Sequence, residues 1–352
     1  MNTDTIILGL VQGFTEFLPV SSSGHLALAK IFLGMEMPPL NYDLVLHVST
    51  TLATIIFFFP DICSLFVEWC KGFGGGAARS KPGWNIGWAV ALGTCITGAI
   101  GMSIKDFSEA ASLNSLIVGI CLLITGVMLL LSRYIRGGGD KVTLQNGVVV
   151  GVIQGIAVMP GISRSGSTII AGLASGLSKE EAFRFSFLLS IPAIIGATCV
   201  QALEFGGWDS FVSTLPEGWL VGAVCSFASG LLSLFLLKRL VIASKWWYFG
   251  VYCLAVGGLS VILTCMEDGN MALVKSASLR WGVIFLCMIL GTWLGLFLQR
   301  FSATSLLFSN IVDFTVDVRE IDLLMLRLGF LFALKLNLGT LIGAISGIVI
   351  TR

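Results

Sequence analysis

Charge is what this chain has least of. Only 12% of its 352 residues are Asp, Glu, Lys or Arg, and the formal net charge is +1. So thin a charge, without a basic tract, gives no basis for a nucleic-acid partner, whose phosphates call for clustered cations. Histidine is scarcer still, at two residues. Nine cysteines occur but never as C-x-x-C, and Cys95, Cys121, Cys199, Cys225, Cys253 and Cys287 fall inside apolar runs. They read as small buried apolar residues rather than as a redox device. A cationic n-region is also missing ahead of the first apolar stretch, where Asp4 stands instead, so no cleaved signal peptide is expected.

What fills the chain is hydrocarbon. Hydrophobic residues make up 56% and mean hydropathy is +0.94, the signature of an integral membrane protein. Apolar runs such as Ile86–Ile104, Leu116–Leu131, Leu220–Leu237 and Val283–Leu298 approach bilayer-spanning length. Spans are expected near 44–60, 84–104, 114–132, 182–204, 218–237, 246–265, 281–299 and 323–350. If 61–83, 133–144, 176–184, 238–245 and 300–322 face the cytoplasm, they hold 13 Lys and Arg against 3 in the opposite loops. The positive-inside rule then fixes the orientation.

Two stretches, 1–43 and 145–175, must each begin and end on one side of the membrane. Both are broken by Gly and Pro and too polar for simple spans, so they read as re-entrant hairpins covered by protein or lining a polar cavity. Sliding "GLVQGFTEFLPVSSSGH" (9–25) onto "GVIQGIAVMPGISRSGS" (151–167) matches Gly9, Gln12, Gly13, Ser21, Ser23 and Gly24 to Gly151, Gln154, Gly155, Ser163, Ser165 and Gly166. The expected fold is all-α with an inverted-topology repeat, each unit a re-entrant helical hairpin followed by three transmembrane helices. The first repeat is 1–141 (hairpin 1–43, spans 44–132). The second is 142–265 (hairpin 145–175, spans 182–265), and 266–352 forms a C-terminal helical membrane extension.

The chemistry sits on the hairpins. Gln12 and Glu16, four apart, share a helix face, and an intramembrane Glu is costly unless functional or paired. "PVSSSGH" adds a helix stop, three hydroxyls, a glycine and His25. His47, in "LVLHVSTT", lacks such neighbours and reads as structural. In "MPGISRSGST", Arg164 lies between Ser163 and Ser165 with glycines on both sides. A guanidinium fork among hydroxyls and backbone N–H groups suits a phosphate; an ion pair with a buried carboxylate is the other reading.

"EFLPVSSSGH", "PGISRSGST" and "EEAFRFSFLLSIPAIIGA" together resemble the undecaprenyl-diphosphate phosphatases of the bacitracin-resistance (BacA) type, over roughly residues 5 to 265. The resemblance implies an enzyme of the bacterial inner membrane that removes the terminal phosphate of a polyprenyl diphosphate lipid, recycling the cell-wall lipid carrier, with its site facing the outer side. It implies Glu16, Ser22, His25 and Arg164 as catalytic residues. Ser21, Ser23, Gly161, Ser163, Ser165, Gly166 and Thr168 would bind substrate, and Gln12 with Glu16 would hold a divalent cation, Mg²⁺ or Ca²⁺. Ser22 as nucleophile with His25 as general base is the favoured chemistry, with direct attack by His25 or by water still open. Two features depart from the family pattern. Gln12 leaves one full carboxylate where the pattern allows two, and residues 281–352 have no counterpart, so covering the core and mediating a homodimer both stay open for them. The rival class is a lipid-phosphate transporter or flippase on the same scaffold.

Overall fold

Small residues decide how the helices of this chain meet. In a membrane, apolar side chains gain little by leaving lipid for one another, so helices associate where glycines let backbones approach. The computed structural model describes residues 3–33, 40–204, 211, 215–268, 309, 312–322, 327–338, 340–341 and 344. They fall into two units, 1–265 and 266–352.

The first unit is helical. The first hairpin is α1 (Thr3–Phe17) and α2 (Ser22–Leu33), followed by α3 (Leu40–Phe57) and α4 (Phe59–Gly72). Then come α5 (Pro82–Ser103), the short α6 (Lys105–Ser112) and α7 (Ser115–Leu131). The second hairpin is α8 (Leu144–Ile156) and α9 (Arg164–Ala174), followed by α10 (Lys179–Glu204), α11 (Trp219–Ile242) and α12 (Tyr248–Asp268). Among the described residues, α5, α7, α10 and α11 are long and apolar enough to cross a membrane. The pair α3 and α4 passes that test jointly but bends by 74°. The bend falls at Phe58, just ahead of Pro60 in the first turn of α4, and sends α4 away from the α3 axis. Sequence reading put Phe58 inside a span over 44–60 and most of α4 in a loop over 61–83.

α1 packs on α11, and α8 packs on α5. A Cβ at Gly9 would lie 2.8 Å from the Gly222 carbonyl carbon, and one at Gly13 2.9 Å from the Gly230 nitrogen. Across the second contact, a Cβ at Gly151 would lie 2.7 Å from Gly93 Cα, and one at Gly147 2.6 Å from the Ala89 carbonyl oxygen. α7 meets α12 reciprocally: Gly119 and Gly257 each face the other's carbonyl oxygen, as do Gly126 and Gly250. An aromatic cluster of Phe17, Phe58, Phe183 and Phe187 locks α1, the α3–α4 bend and α10 together. Gly151→Ala is therefore expected to cost about 1–3 kcal/mol through overpacking. It should lower the thermal midpoint of the purified protein. Gly98→Ala, where nothing lies within 4 Å of the added carbon, should not.

The second unit corrects the expected all-helical extension. Val312–Asp322 (β1) and Arg327–Leu336 (β2) form an antiparallel two-stranded sheet. Val312 stands opposite Leu336 and Asp322 opposite Arg327, with an irregularity between Val318 and Ile321. The physical reason is visible in "VDFTVDV": apolar and polar residues alternate with a period of two, a strand pattern. The apolar run that follows is its pairing partner rather than part of a span over 323–350. The span expected at 281–299 lies outside the described residues.

Candidate functional site

Two chain reversals meet in the first unit. α1 stops at Phe17, because Pro19 cannot continue a helix, and the chain turns through Leu18–Ser21. Ser21 has φ +70°, a left-handed conformation that a non-glycine residue adopts only when its surroundings hold it there. They do so at both its polar groups. Its carbonyl accepts from the His25 backbone N–H (3.1 Å) and from His25 Nδ1 (2.7 Å). Its hydroxyl oxygen accepts from the N–H groups of Gly24 (3.3 Å) and Gly161 (3.1 Å).

Gly161, the far partner, is the pivot of the second reversal. It has φ +95°, and a side chain there would strike the Val118 carbonyl oxygen and Cys121 Cβ. Its carbonyl accepts from Thr125 Oγ1 (2.9 Å), which in turn accepts from the Ser163 N–H (3.0 Å). Ser163 is the N-cap of α9, its hydroxyl oxygen accepting from the Gly166 N–H at 3.1 Å. α9 thus begins at Arg164, with its positive end at the meeting point of the reversals.

There the charged groups join. The Arg164 guanidinium donates through Nη2 to Glu16 Oε1. The Ser22 hydroxyl donates to Glu16 Oε2, and Gln12 Nε2 donates to the same oxygen at 3.0 Å. Glu16, on α1, is buried; Arg164, on α9, keeps 20% of its side-chain exposure. Burying this carboxylate is tolerable because it is paired and hydrogen-bonded. Arg164 Nη1 is also buried and lacks a partner among the described residues. The cluster therefore offers a hydroxyl aimed at a carboxylate and a guanidinium with a donor to spare.

The structure brings together Glu16, Ser22, Arg164 and Gln12 from the sequence-read set. His25 lies on the same helix as Ser22, but both its ring nitrogens are engaged elsewhere: Nδ1 with Ser21 O and Nε2 with the Tyr252 hydroxyl at 2.7 Å. Ser21, Gly161, Ser163 and Gly166 spend their polar groups tying the reversals together. Thr168 bonds the Arg164 carbonyl (2.8 Å) and Ser186 Oγ (2.5 Å). Ser23 Oγ is 3.4 Å from Ser21 Oγ, and Ser165 Oγ is 3.3 Å from Ser163 Oγ.

Two residues at this site escaped sequence reading. His47, read as structural, points Nε2 at Glu16 Oε2 from 3.8 Å, while its Nδ1–H donates to the Asp43 carbonyl at 2.8 Å. The available signal was an ionisable residue inside an apolar span. Tyr252 had no local signal at all.

The donors do not by themselves build a divalent-cation site. Gln12 donates its NH₂ to Glu16 and leaves Oε1 buried and without a partner among the described residues, while both Glu16 oxygens already face Arg164 or Ser22. Among the described residues, no group of three His, Cys, Asp or Glu side chains could hold a metal. A cation here would have to bring oxygen ligands of its own, such as those of a diphosphate.

Residues 5–259, which include both hairpins, match the family model described as "Bacitracin resistance protein BacA". The undecaprenyl-diphosphatase of Desulfatibacillum aliphaticivorans is 39% identical over 272 residues, covering 74% of this chain and 97% of that protein. That of Syntrophotalea carbinolica is 40% identical over 258 residues (72% and 95%). Undecaprenyl-diphosphatase 1 of Shouchella clausii is 34% identical over 263 residues (74% and 95%). With both site-forming hairpins inside the matched region, the chain belongs to the BacA family of bacitracin resistance proteins.

Proposed function

We propose that this protein is a membrane phosphatase that hydrolyses undecaprenyl diphosphate to undecaprenyl phosphate and inorganic phosphate, recycling the cell-wall lipid carrier. The observation that carries it is the Ser22–Glu16–Arg164 cluster, in which a hydroxyl donates to a carboxylate beside a guanidinium with a free donor. Ser22 Oγ attacks the terminal phosphorus while Glu16 takes its proton. The bond from that phosphorus to the bridging oxygen breaks, and the prenyl phosphate leaves with the electron pair. Glu16 gives that proton up to the departing prenyl phosphate. Water then attacks the phosphoserine, and Glu16 takes the water's proton and returns it to Ser22 Oγ as the bond from phosphorus to Oγ breaks and inorganic phosphate leaves. Arg164 turns its fork to the terminal phosphate and follows the charge that develops on its oxygens. His25, with both ring nitrogens engaged, is assigned to holding the turn and not to taking the Ser22 proton. A transporter needs an anion clamp too, but not a hydroxyl set on a carboxylate.

The same proposal includes an inverted repeat. It is supported by the exchanged packing of α1 on α11 and α8 on α5, and by the reciprocal glycines of α7 and α12. It also includes an outward-facing site in the inner membrane, supported by the Lys and Arg distribution. Ser23→Cys should react with an impermeant thiol reagent in intact cells; reaction only after permeabilisation would place access on the cytoplasmic side. Phosphate release from a long-chain prenyl diphosphate by the purified protein, beside movement of a labelled prenyl phosphate across vesicles, tests phosphatase against transporter.

A further inference from the structure

We infer that Tyr252 is a positioning residue of this site, acting through His25; what it does to turnover rests on the phosphatase reading, whereas the contact does not. Tyr252 lies on α12, 227 residues beyond His25, and both side chains are buried. The two rings stack at 14° with centroids 5.6 Å apart, and the tyrosine hydroxyl lies 2.7 Å from His25 Nε2. The other nitrogen, Nδ1, faces the Ser21 carbonyl at 2.7 Å. A carbonyl can only accept, so the ring proton sits on Nδ1 and Nε2 accepts from Tyr252. The carbonyl thereby fixes the tautomer, and the tyrosine hydroxyl, donating to the bare Nε2, supports it. The next residue, Cys253, donates from Sγ to the Pro19 carbonyl at 3.7 Å. α12 thus holds the Leu18–Ser21 turn at two points.

That turn needs holding. Ser21 sits at φ +70° and is followed at once by Ser22, whose hydroxyl is aimed at Glu16. Without the tyrosine hydroxyl, Nε2 becomes a buried acceptor with no donor from α12. The Nδ1–H tautomer then loses one of its two supports, and its hold on the Ser21 carbonyl weakens. A nucleophile that drifts loses rate more than substrate affinity, because the phosphate grip on Arg164 comes from the other hairpin.

The test is Tyr252→Phe, which keeps the ring stack and removes one hydroxyl. Purified full-length protein should lose about five- to tenfold in kcat, the scale of one neutral hydrogen bond, with KM within about twofold. The independent readout is ¹⁵N-histidine NMR. The chain has two histidines, so His47→Gln assigns both sets of signals. In Tyr252→Phe the His25 signals should move from a single Nδ1–H tautomer towards a mixture, while those of His47 stay in place. Unchanged His25 signals, or a normal kcat, would overturn the inference. If the wild type releases no phosphate, the phosphatase reading falls, and the NMR comparison still decides the contact.

Discussion

Arg164→Lys is expected to lose about 100-fold or more in kcat/KM, roughly 2.7 kcal/mol of transition-state stabilisation, although the charge is kept. The guanidinium is placed to serve two masters: Nη2 is on Glu16 Oε1, and the buried Nη1 has no partner among the described residues. A planar fork can keep contact with the carboxylate while presenting N–H donors to two phosphate oxygens. A lysine ammonium is a point charge on a flexible stem and can hold one geometry or the other, not both. Because the interaction grows as charge develops on the phosphate, the loss should appear in kcat more than in KM. Steady-state phosphate release reads it directly, and near-normal turnover would remove Arg164 from the reaction.

Glu16→Gln should cost about 10³-fold in kcat, within the range of general-base catalysis. Glutamine can still accept a hydrogen bond from Ser22, so the geometry survives, but it cannot take the proton. Ser22→Ala should fall to a similar level. The double variant should be no worse than either single one, since a nucleophile and its base act as one unit. Additive losses would mean that Glu16 and Ser22 work separately. Glu16→Gln also leaves the Arg164 charge part-buried without its counter-ion, so the thermal midpoint should drop alongside the rate.

Much of this was legible along the chain because it depends on local pattern. The apolar runs at 84–104, 114–132, 182–204 and 218–237 each coincide with a helix, as bilayer-length hydrophobicity dictates. The two reversals announced themselves through Pro19 and Gly161, which interrupt otherwise apolar helices. Arg164 had two readings, a phosphate clamp or the partner of a buried carboxylate. In the structure it pairs with Glu16, and its spare donor leaves the first role open as well.

What escaped was set by contacts distant in sequence. The N-cap role of Ser163 went unread because capping an N-terminus and binding an anion call for the same hydroxyl. His47 looked isolated because Glu16 lies on another helix, and Tyr252 was not picked out because its partner is 227 residues away. The strand at Val312–Asp322 was overlooked for a different reason: the apolar run after it suggested a span, and its own alternation went unread.

The most direct test of the account is inorganic phosphate released from undecaprenyl diphosphate by the purified full-length protein, measured beside Glu16→Gln and Arg164→Lys at equal amounts of folded protein. Release by the wild type that nearly disappears in both variants is the predicted result, since each hairpin supplies half of one site. Wild-type release from either variant, or none from a folded wild type, would contradict it.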